Sequence, residues 1–174
     1  MFKELNTLRL FFEEPSREFN VREVARILRL SPATVSKELK IFAKKEILKE
    51  RRERIFKLYR TNLENDFYRD LKIFYNMRKI KDSRLIEALN SFYLKPAIVL
   101  FGSASMGEDI ETSDFDFLIV SEKTKDFPDL KKFERKMERR LQLLVVKDIK
   151  DLRNKHLINN VLNGISLQGK IKWI

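Results

Sequence analysis

Cysteine is absent from the 174 residues and histidine occurs once, at His156. The first absence excludes disulfides, thiolate zinc sites and cysteine nucleophiles. The second leaves no imidazole pair for a histidine-based metal centre. Metal chemistry in this chain must use oxygen ligands. Glycine is also scarce, with four in the whole sequence, so a stretch that gathers two of them invites explanation. No apolar run approaches the roughly 18 residues of a membrane span, and MFKELNTLRLFFEE carries acids where a secretory leader needs an unbroken apolar stretch. The expectation is a cytoplasmic chain with no membrane partner.

What the sequence has in quantity is charge. Hydrophobic residues make up 43%, enough for a core, while 36% of residues are charged and the net charge is +11. Residues 1 to 94 hold 22 Lys/Arg against 14 Asp/Glu, and residues 95 to 174 hold 15 against 12. The basic excess belongs to the first part, which makes a polyanion its first candidate partner.

Apolar spacing predicts a helix over residues 2 to 13, with Phe2, Leu5, Leu8 and Phe12 on one face and Pro15-Ser16 ending it. Asn20 caps VREVARILRL, whose Val21, Val24, Ala25 and Leu28 share a face. After a short turn, Ser31 is an N-cap and Pro32 a first helical residue for PATVSKELKIFAKK, with Val35, Leu39 and Phe42 inward. ILKERRERIFKLYR reads as a hairpin with Ile47-Leu48 and Ile55-Phe56-Leu58 as apolar strand ends around a charged tip.

Helices are predicted over 66 to 79 and 83 to 92. The first carries Phe67, Leu71, Phe74 and Tyr75 as linker core or a dimer contact. AIVLF then reads as a central strand covered on both faces, FDFLIV and LQLLVV as further strands with DLKKFERKMERRL a helix between them, and NKHLINNVLNG as a last helix stopped by Gly164. Trp173 is expected to anchor the tail by packing, and His156 to be an exposed helix residue.

Helix, tight turn, Ser-Pro-capped helix and basic hairpin is a layout that places a second helix in the DNA major groove and a wing along the backbone. Thr34, Ser36, Lys37 and Lys40 occupy outward positions of the second helix, suited to base edges and phosphates. Residues 44 to 60 hold eight Lys/Arg against three Glu, with Arg51, Arg52 and Arg54 near the tip. Solvated charge is the ordinary explanation of such a run, and the order of elements is what favours double-stranded DNA. Residues 5 to 62 resemble the winged helix-turn-helix domains of prokaryotic regulators. Glu46 departs from that pattern where a turn glycine is common.

The two clustered glycines lie in GSASMGEDIETSDFD, residues 102 to 116. Gly102 lets the backbone come close after a strand, and amides there with the Ser103 hydroxyl suit a phosphate. Asp114 and Asp116, at i and i+2 of DFDFLIV, put two carboxylates on one strand face, with Phe115, Phe117 and Ile119 on the other. Two hard oxygen ligands suit Mg²⁺ with triphosphate oxygens. Alone, Gly-Ser or Asp-x-Asp is most often a surface turn or a solvated acid pair. Together as GS-x10-D-x-D, with Gly107 and Ser113 in the loop, they resemble the minimal nucleotidyltransferases of the DNA polymerase β superfamily over roughly residues 95 to 170.

That resemblance implies that Gly102 and Ser103 hold the phosphates of an NTP and that the catalytic Asp114 and Asp116 bind Mg²⁺. A third carboxylate is expected from the neighbouring strand, where Gln142 stands instead, with Glu108, Asp109, Glu111 and Asp148 as substitutes that read more simply as solvated acids. The fold expected is α+β: a winged helix-turn-helix over 1 to 62, a helical linker over 63 to 94, and a small nucleotidyltransferase-like α/β domain with a mixed sheet over 95 to 174. Two functions follow. One is a DNA-binding transferase that moves a nucleoside monophosphate from an NTP to an acceptor such as a protein hydroxyl, in a toxin-antitoxin pair with a helical HEPN partner. The other is a transcriptional regulator whose reduced domain only senses nucleotide. Palindromic DNA would call for a homodimer.

Overall fold

The computed structural model describes residues 3–171, so Phe2 and the expected anchor Trp173 lie outside the described residues. The chain divides into two compact units, Met1–Lys72 and Ile73–Ile174.

The first unit runs α1 (Lys3–Glu13), β1 (Phe19–Asn20), α2 (Val21–Leu28), α3 (Pro32–Lys44), β2 (Leu48–Glu53) and β3 (Phe56–Thr61). Its helix starts follow from the capping residues. The Glu23 amide donates to Asn20 Oδ1 at 3.0 Å and the Thr34 amide to Ser31 Oγ at 3.1 Å, with Pro32 opening α3. Arg29 ends α2 in the left-handed region at φ 54°. Val24, Ala25, Val35, Leu39 and Phe42 are buried, as their spacing requires.

The hairpin lies in a sheet of order β1-β3-β2, with Glu53 opposite Phe56. That register corrects one expectation: Arg54-Ile55 is the two-residue tip, so Ile55 is 88% exposed and Phe56 47% exposed instead of closing the strand ends. Strand β1 carries no signal in the sequence because two residues are too few for alternation. Glu46 takes φ 57°, the conformation for which a glycine would serve, and its carbonyl accepts from Asn62 Nδ2 at 2.7 Å. The first turns of α4 (Asp66–Ser83) are tied to α1: Tyr68 Oη donates to the Phe11 carbonyl at 2.9 Å and the buried Lys72 ammonium to that of Phe12 at 2.5 Å. Phe67 and Phe74 are 54% and 47% exposed, which removes them from a linker core.

After α4 the second unit continues through α5 (Leu85–Tyr93), β4 (Ala97–Phe101), α6 (Ser103–Met106), β5 (Phe115–Val120), α7 (Leu130–Met137), β6 (Leu141–Val146), a 3₁₀ turn (Ile149–Asp151), α8 (Lys155–Leu162) and β7 (Ile165–Gln168). The sheet order is β6-β5-β4-β7, with β4 antiparallel to β5 and β7, and β5 parallel to β6. The parallel pair follows from α7, which carries the chain back across the sheet. The result is the α+β class with a mixed sheet.

Both faces of that sheet are covered, which is why AIVLF is apolar without interruption. Ile98, Leu100, Phe115, Phe117 and Ile119 pack with Leu85, Leu89, Tyr93, Phe133 and Met137. Val99, Phe101 and Leu118 pack with Ile149, Leu152 and Val161.

Gly164, expected only to stop a helix, has a packing role as well. A Cβ there would lie 2.5 Å from the Leu100 carbonyl oxygen and 2.7 Å from Val99 Cγ1. Gly164→Ala is therefore expected to destabilise the chain by about 2 kcal/mol through overpacking, read as a lower midpoint of thermal unfolding. An unchanged midpoint would mean that the α8–β7 turn moves off β4 without cost.

Candidate functional site

The end of β4 and the start of β5 bring the glycine turn and the two aspartates together. Gly102 has φ 72° and ψ −162°, a conformation essentially reserved for glycine. A Cβ at this position would stand 2.6 Å from Asp116 Oδ2. The backbone after β4 thus passes against a carboxylate with no room for a side chain. The turn is closed by Ser105, whose hydroxyl and amide donate to the Gly102 carbonyl at 2.7 and 3.1 Å. Gly107, at φ 70°, ends the short α6 with its amide on the Ser103 carbonyl.

The return loop is fixed as well. Asp109 is buried, at 1% exposure, and accepts from Asn76 Nδ2 at 2.7 Å; the same amide donates to the Ala104 carbonyl at 3.1 Å. This corrects the reading of Asp109 as a solvated acid: it anchors the loop to α4. Ser113 closes the loop by accepting from the Ile110 amide at 3.0 Å. Asp148 caps the 3₁₀ turn through the Lys150 amide at 2.8 Å, and His156 is exposed on α8.

Asp114 stands one residue ahead of β5, and Asp116 lies within it, with the buried Phe115 between them. Asp116 pairs in register with Phe101 on β4 and with Gln142 on β6. Since partners in register project to the same side of a sheet, the exposed Gln142 shares the face of Asp116. Among the described residues no group of three or more His, Cys, Asp or Glu side chains is placed to hold a metal. Two carboxylates, Asp114 and Asp116, act on each other at this point, with Gln142 in register on the neighbouring strand.

Burial first, and then the charge of Asp114, push the Asp116 carboxyl above the usual aspartate range. The sign of the consequence is definite. An acid whose folded pKa is raised binds its proton more tightly in the native state, so stability falls as pH rises through the shifted pKa, and the ionised group is a cost at neutral pH. Asp116→Asn is accordingly expected to raise the unfolding midpoint of the metal-free protein at neutral pH, with the gain vanishing at acid pH. A lower midpoint at neutral pH would show that Asp116 is held by stabilising partners instead.

An open groove of about 840 Å³ lies ahead of the start of β5, lined by Ser113 and Glu111 and by residues of α7 and the turn after it, including Glu134, Arg135 and Arg140; none of Gly102, Ser103, Asp114, Asp116 and Gln142 lines it. The Phe115 amide donates to the Arg140 carbonyl at 2.9 Å, which sets Arg140 beside the start of β5. Sequence reasoning misses this groove because the charges of α7 read as a solvated helix face.

In the first unit, Lys37 and Lys40 are exposed on α3 and Ser36 is half-buried. Thr34 Oγ1 lies 2.8 Å from Ser31 Oγ, so its hydroxyl is part of the cap. The three arginines of the hairpin differ. Arg51 donates to both carboxylate oxygens of Glu18 at 2.7 and 2.5 Å and pairs with Glu53 at 2.9 Å. Lys57 pairs with Glu50 at 2.5 Å and Lys49 with Glu64 at 2.6 Å. Arg52 and Arg54 are exposed and make no ion pair among the described residues. Glu18, distant in sequence, is the partner that the local pattern of the hairpin could not reveal.

Comparison with known proteins bears on the second unit. Residues 82–166 match the family model described as "Nucleotidyltransferase domain", a span that contains Gly102, Ser103, Asp114, Asp116 and Gln142. No curated protein matches the chain. Among solved structures, one described as "Possible transcriptional regulator from Methanosarcina mazei Go1" is similar at 22% identity, covering 53% of this chain and 79% of that one, with a TM-score of 0.37.

Proposed function

We propose that the second unit binds an NTP with Mg²⁺ at Gly102, Ser103, Asp114 and Asp116 and transfers its nucleoside monophosphate to an acceptor hydroxyl. The observation that carries this reading is the contact of Gly102 with Asp116, where a Cβ would stand 2.6 Å from the carboxylate. A site that held only a solvated acid would not exclude a side chain so strictly. The donor set fits a hard cation: two carboxylates close enough for one to raise the pKa of the other are relieved by a positive charge between them. Bound there, Mg²⁺ would supply charge neutralisation for the triphosphate and the leaving pyrophosphate.

The chain's own groups then have distinct roles. The bare backbone at Gly102 admits a phosphate, and the Ser103 amide and hydroxyl are its donors. Asp114 and Asp116 repel a triphosphate that comes without a cation, so nucleotide binding is metal-dependent. In transfer, the acceptor oxygen bonds to the α-phosphorus, the bond to the pyrophosphate breaks, and the acceptor loses its proton to solvent water. Gln142, a neutral amide, cannot take that proton. This favours a second reading, in which the unit binds nucleotide as a sensor and turns over slowly. Incubation with labelled NTP, Mg²⁺ and hydroxyl acceptors, including helical partner proteins of the HEPN type, separates the two: label on an acceptor supports transfer, and bound but intact NTP supports the sensor. Absence of any NTP binding would exclude both.

For the first unit, α2, the turn and α3 with the β2–β3 hairpin support a winged helix-turn-helix that binds double-stranded DNA through α3 and the wing, in a regulator that pairs with a second copy on a palindrome. Arg52→Ala with Arg54→Ala is expected to lower affinity for all duplex sequences and to reduce the slope of log affinity against log salt by about 2, one for each phosphate that is no longer neutralised. Arg51→Ala is expected to act mainly on wing stability, since its charge is already shared by Glu18 and Glu53. An equal effect on the salt slope from Arg51 would show that the ion pairs open on DNA.

A further inference from the structure

The tip of the β2–β3 hairpin breaks three local rules that folding alone would favour. Arg54 takes φ 52°, where a two-residue turn ordinarily places glycine or asparagine. Ile55 beside it is 88% exposed, and Phe56 is 47% exposed. Arg52 stands directly opposite Lys57, a like-charge cross-strand pair. Lys57 is relieved by Glu50 at 2.5 Å, and Arg52 shares the charge of that same carboxylate without an ion pair of its own, whereas no carboxylate acts on Arg54 among the described residues. A few residues away, Arg51 and Lys49 are both neutralised within the unit. An excess of positive charge, from Arg54 and from Arg52 and Lys57 around one Glu50, and the exposed apolar side chain of Ile55 thus concentrate at one end of the hairpin.

We propose that this tip enters the minor groove of duplex DNA, with Ile55 as an apolar wedge against a base step and Arg52 and Arg54 on the flanking phosphates. The inference rests on the DNA-binding reading above and adds to it a groove, a contact and a deformation of the duplex. The chemistry selects DNA over a protein surface. An apolar protein partner is served by Ile55 and Phe56 but gives no reason for Arg54 to be left without a carboxylate and for Arg52 and Lys57 to share the single Glu50 beside them. The minor groove, about 6 Å wide, admits a single side chain at a narrow tip and carries phosphates along both walls. Narrow minor grooves attract arginine, and an apolar side chain inserted there partly unstacks a base step and kinks the duplex.

The test uses the full chain and a duplex of a few helical turns with 2-aminopurine at successive positions and dyes at both ends. Saturating wild-type protein is expected to raise 2-aminopurine emission at one step beside the bound site and to shorten the end-to-end distance. Ile55→Ser, outside the core and therefore folded, is expected to abolish both signals and weaken binding about tenfold through reduced apolar burial, while Ile55→Leu retains them. A minor-groove dye is expected to compete with the wild type and to compete less with the Ser variant. Binding by the wild type without unstacking or dye competition, or equal signals in the Ser variant, would overturn the wedge and leave DNA binding intact. If the wild type binds no duplex at low salt, the DNA-binding reading itself is lost, and the wedge with it. Self-association that depends on Ile55 and not on DNA would assign the tip to a second copy of the chain and also overturn the proposal.

Discussion

Replacing Asp114 and Asp116 together by Asn should weaken NTP binding in the presence of Mg²⁺ by on the order of 10²-fold or more, and should leave binding without Mg²⁺ unchanged or slightly tighter. The two arms have opposite signs because the carboxylates act on different charges. Toward a cation each contributes attraction: two unit charges about 4 Å apart at an effective dielectric near 20 interact by about 4 kcal/mol, and solvent at a half-buried site reduces that to about 2. Toward a bare triphosphate the same charges are repulsive. Asparagine keeps the shape of aspartate, so the contact of Asp116 with Gly102 survives and the effect isolates charge. Calorimetry with and without Mg²⁺ reads both arms directly. Equal affinity of wild type and double variant in Mg²⁺ would sink the metal-site assignment. The companion result is that Asp116→Asn stabilises the metal-free protein, because ionised Asp116 is a cost to the folded state. Loss of binding with gain of stability in one variant is a signature that a structural aspartate does not give.

The parts of the molecule legible in the sequence are those in which a local rule and tertiary packing agree. Asn20 and Ser31 cap their helices through side-chain acceptors that the sequence names outright, and the burial of Val35, Leu39 and Phe42 follows the helical period. AIVLF announces a strand covered twice because no polar residue interrupts it. In GS-x10-D-x-D the spacing encodes a turn and a strand that fold back on each other, so the approach of Gly102 to Asp116 can be anticipated, though not its distance.

What escapes depends on partners remote in the chain. Strand β7 is four residues long and exists because β4 offers an open edge, and Gly164 is needed there for a close approach to Leu100 that no local pattern records. Asp109 resembles a loop acid until Asn76, 33 positions earlier, is brought against it. Arg51 counts as one of three equivalent wing cations until Glu18 claims it. Ile55 reads as inward because its residue type is apolar, whereas register alone decides the tip.

Gln142→Asp carries the remaining question of turnover, and its expected result is a gain of about 10²-fold or more in transfer rate. The structure sets Gln142 in register with Asp116 on the adjacent parallel strand, exposed and on the same face, so the new carboxylate enters the site without a change of fold. A group that accepts the acceptor's proton in the transition state contributes typically 10²- to 10⁴-fold, and the wild-type amide cannot serve. The same substitution adds a third negative charge to a pair that already repels, so the metal-free variant should be less stable than the wild type, and Mg²⁺ should recover the difference. Pyrophosphate release in single-turnover mixtures with NTP, Mg²⁺ and hydroxyl acceptors measures the rate, and thermal unfolding with and without Mg²⁺ measures the charge effect. Faster transfer together with Mg²⁺-dependent stability would identify Gln142 as the residue that holds a nucleotide-binding site short of rapid catalysis. A wild type that is already fast and a variant that changes nothing would place the proton acceptor elsewhere. If the Mg²⁺-dependent stability appears without faster transfer, the position touches the ion, and the missing function lies in the acceptor and not in residue 142.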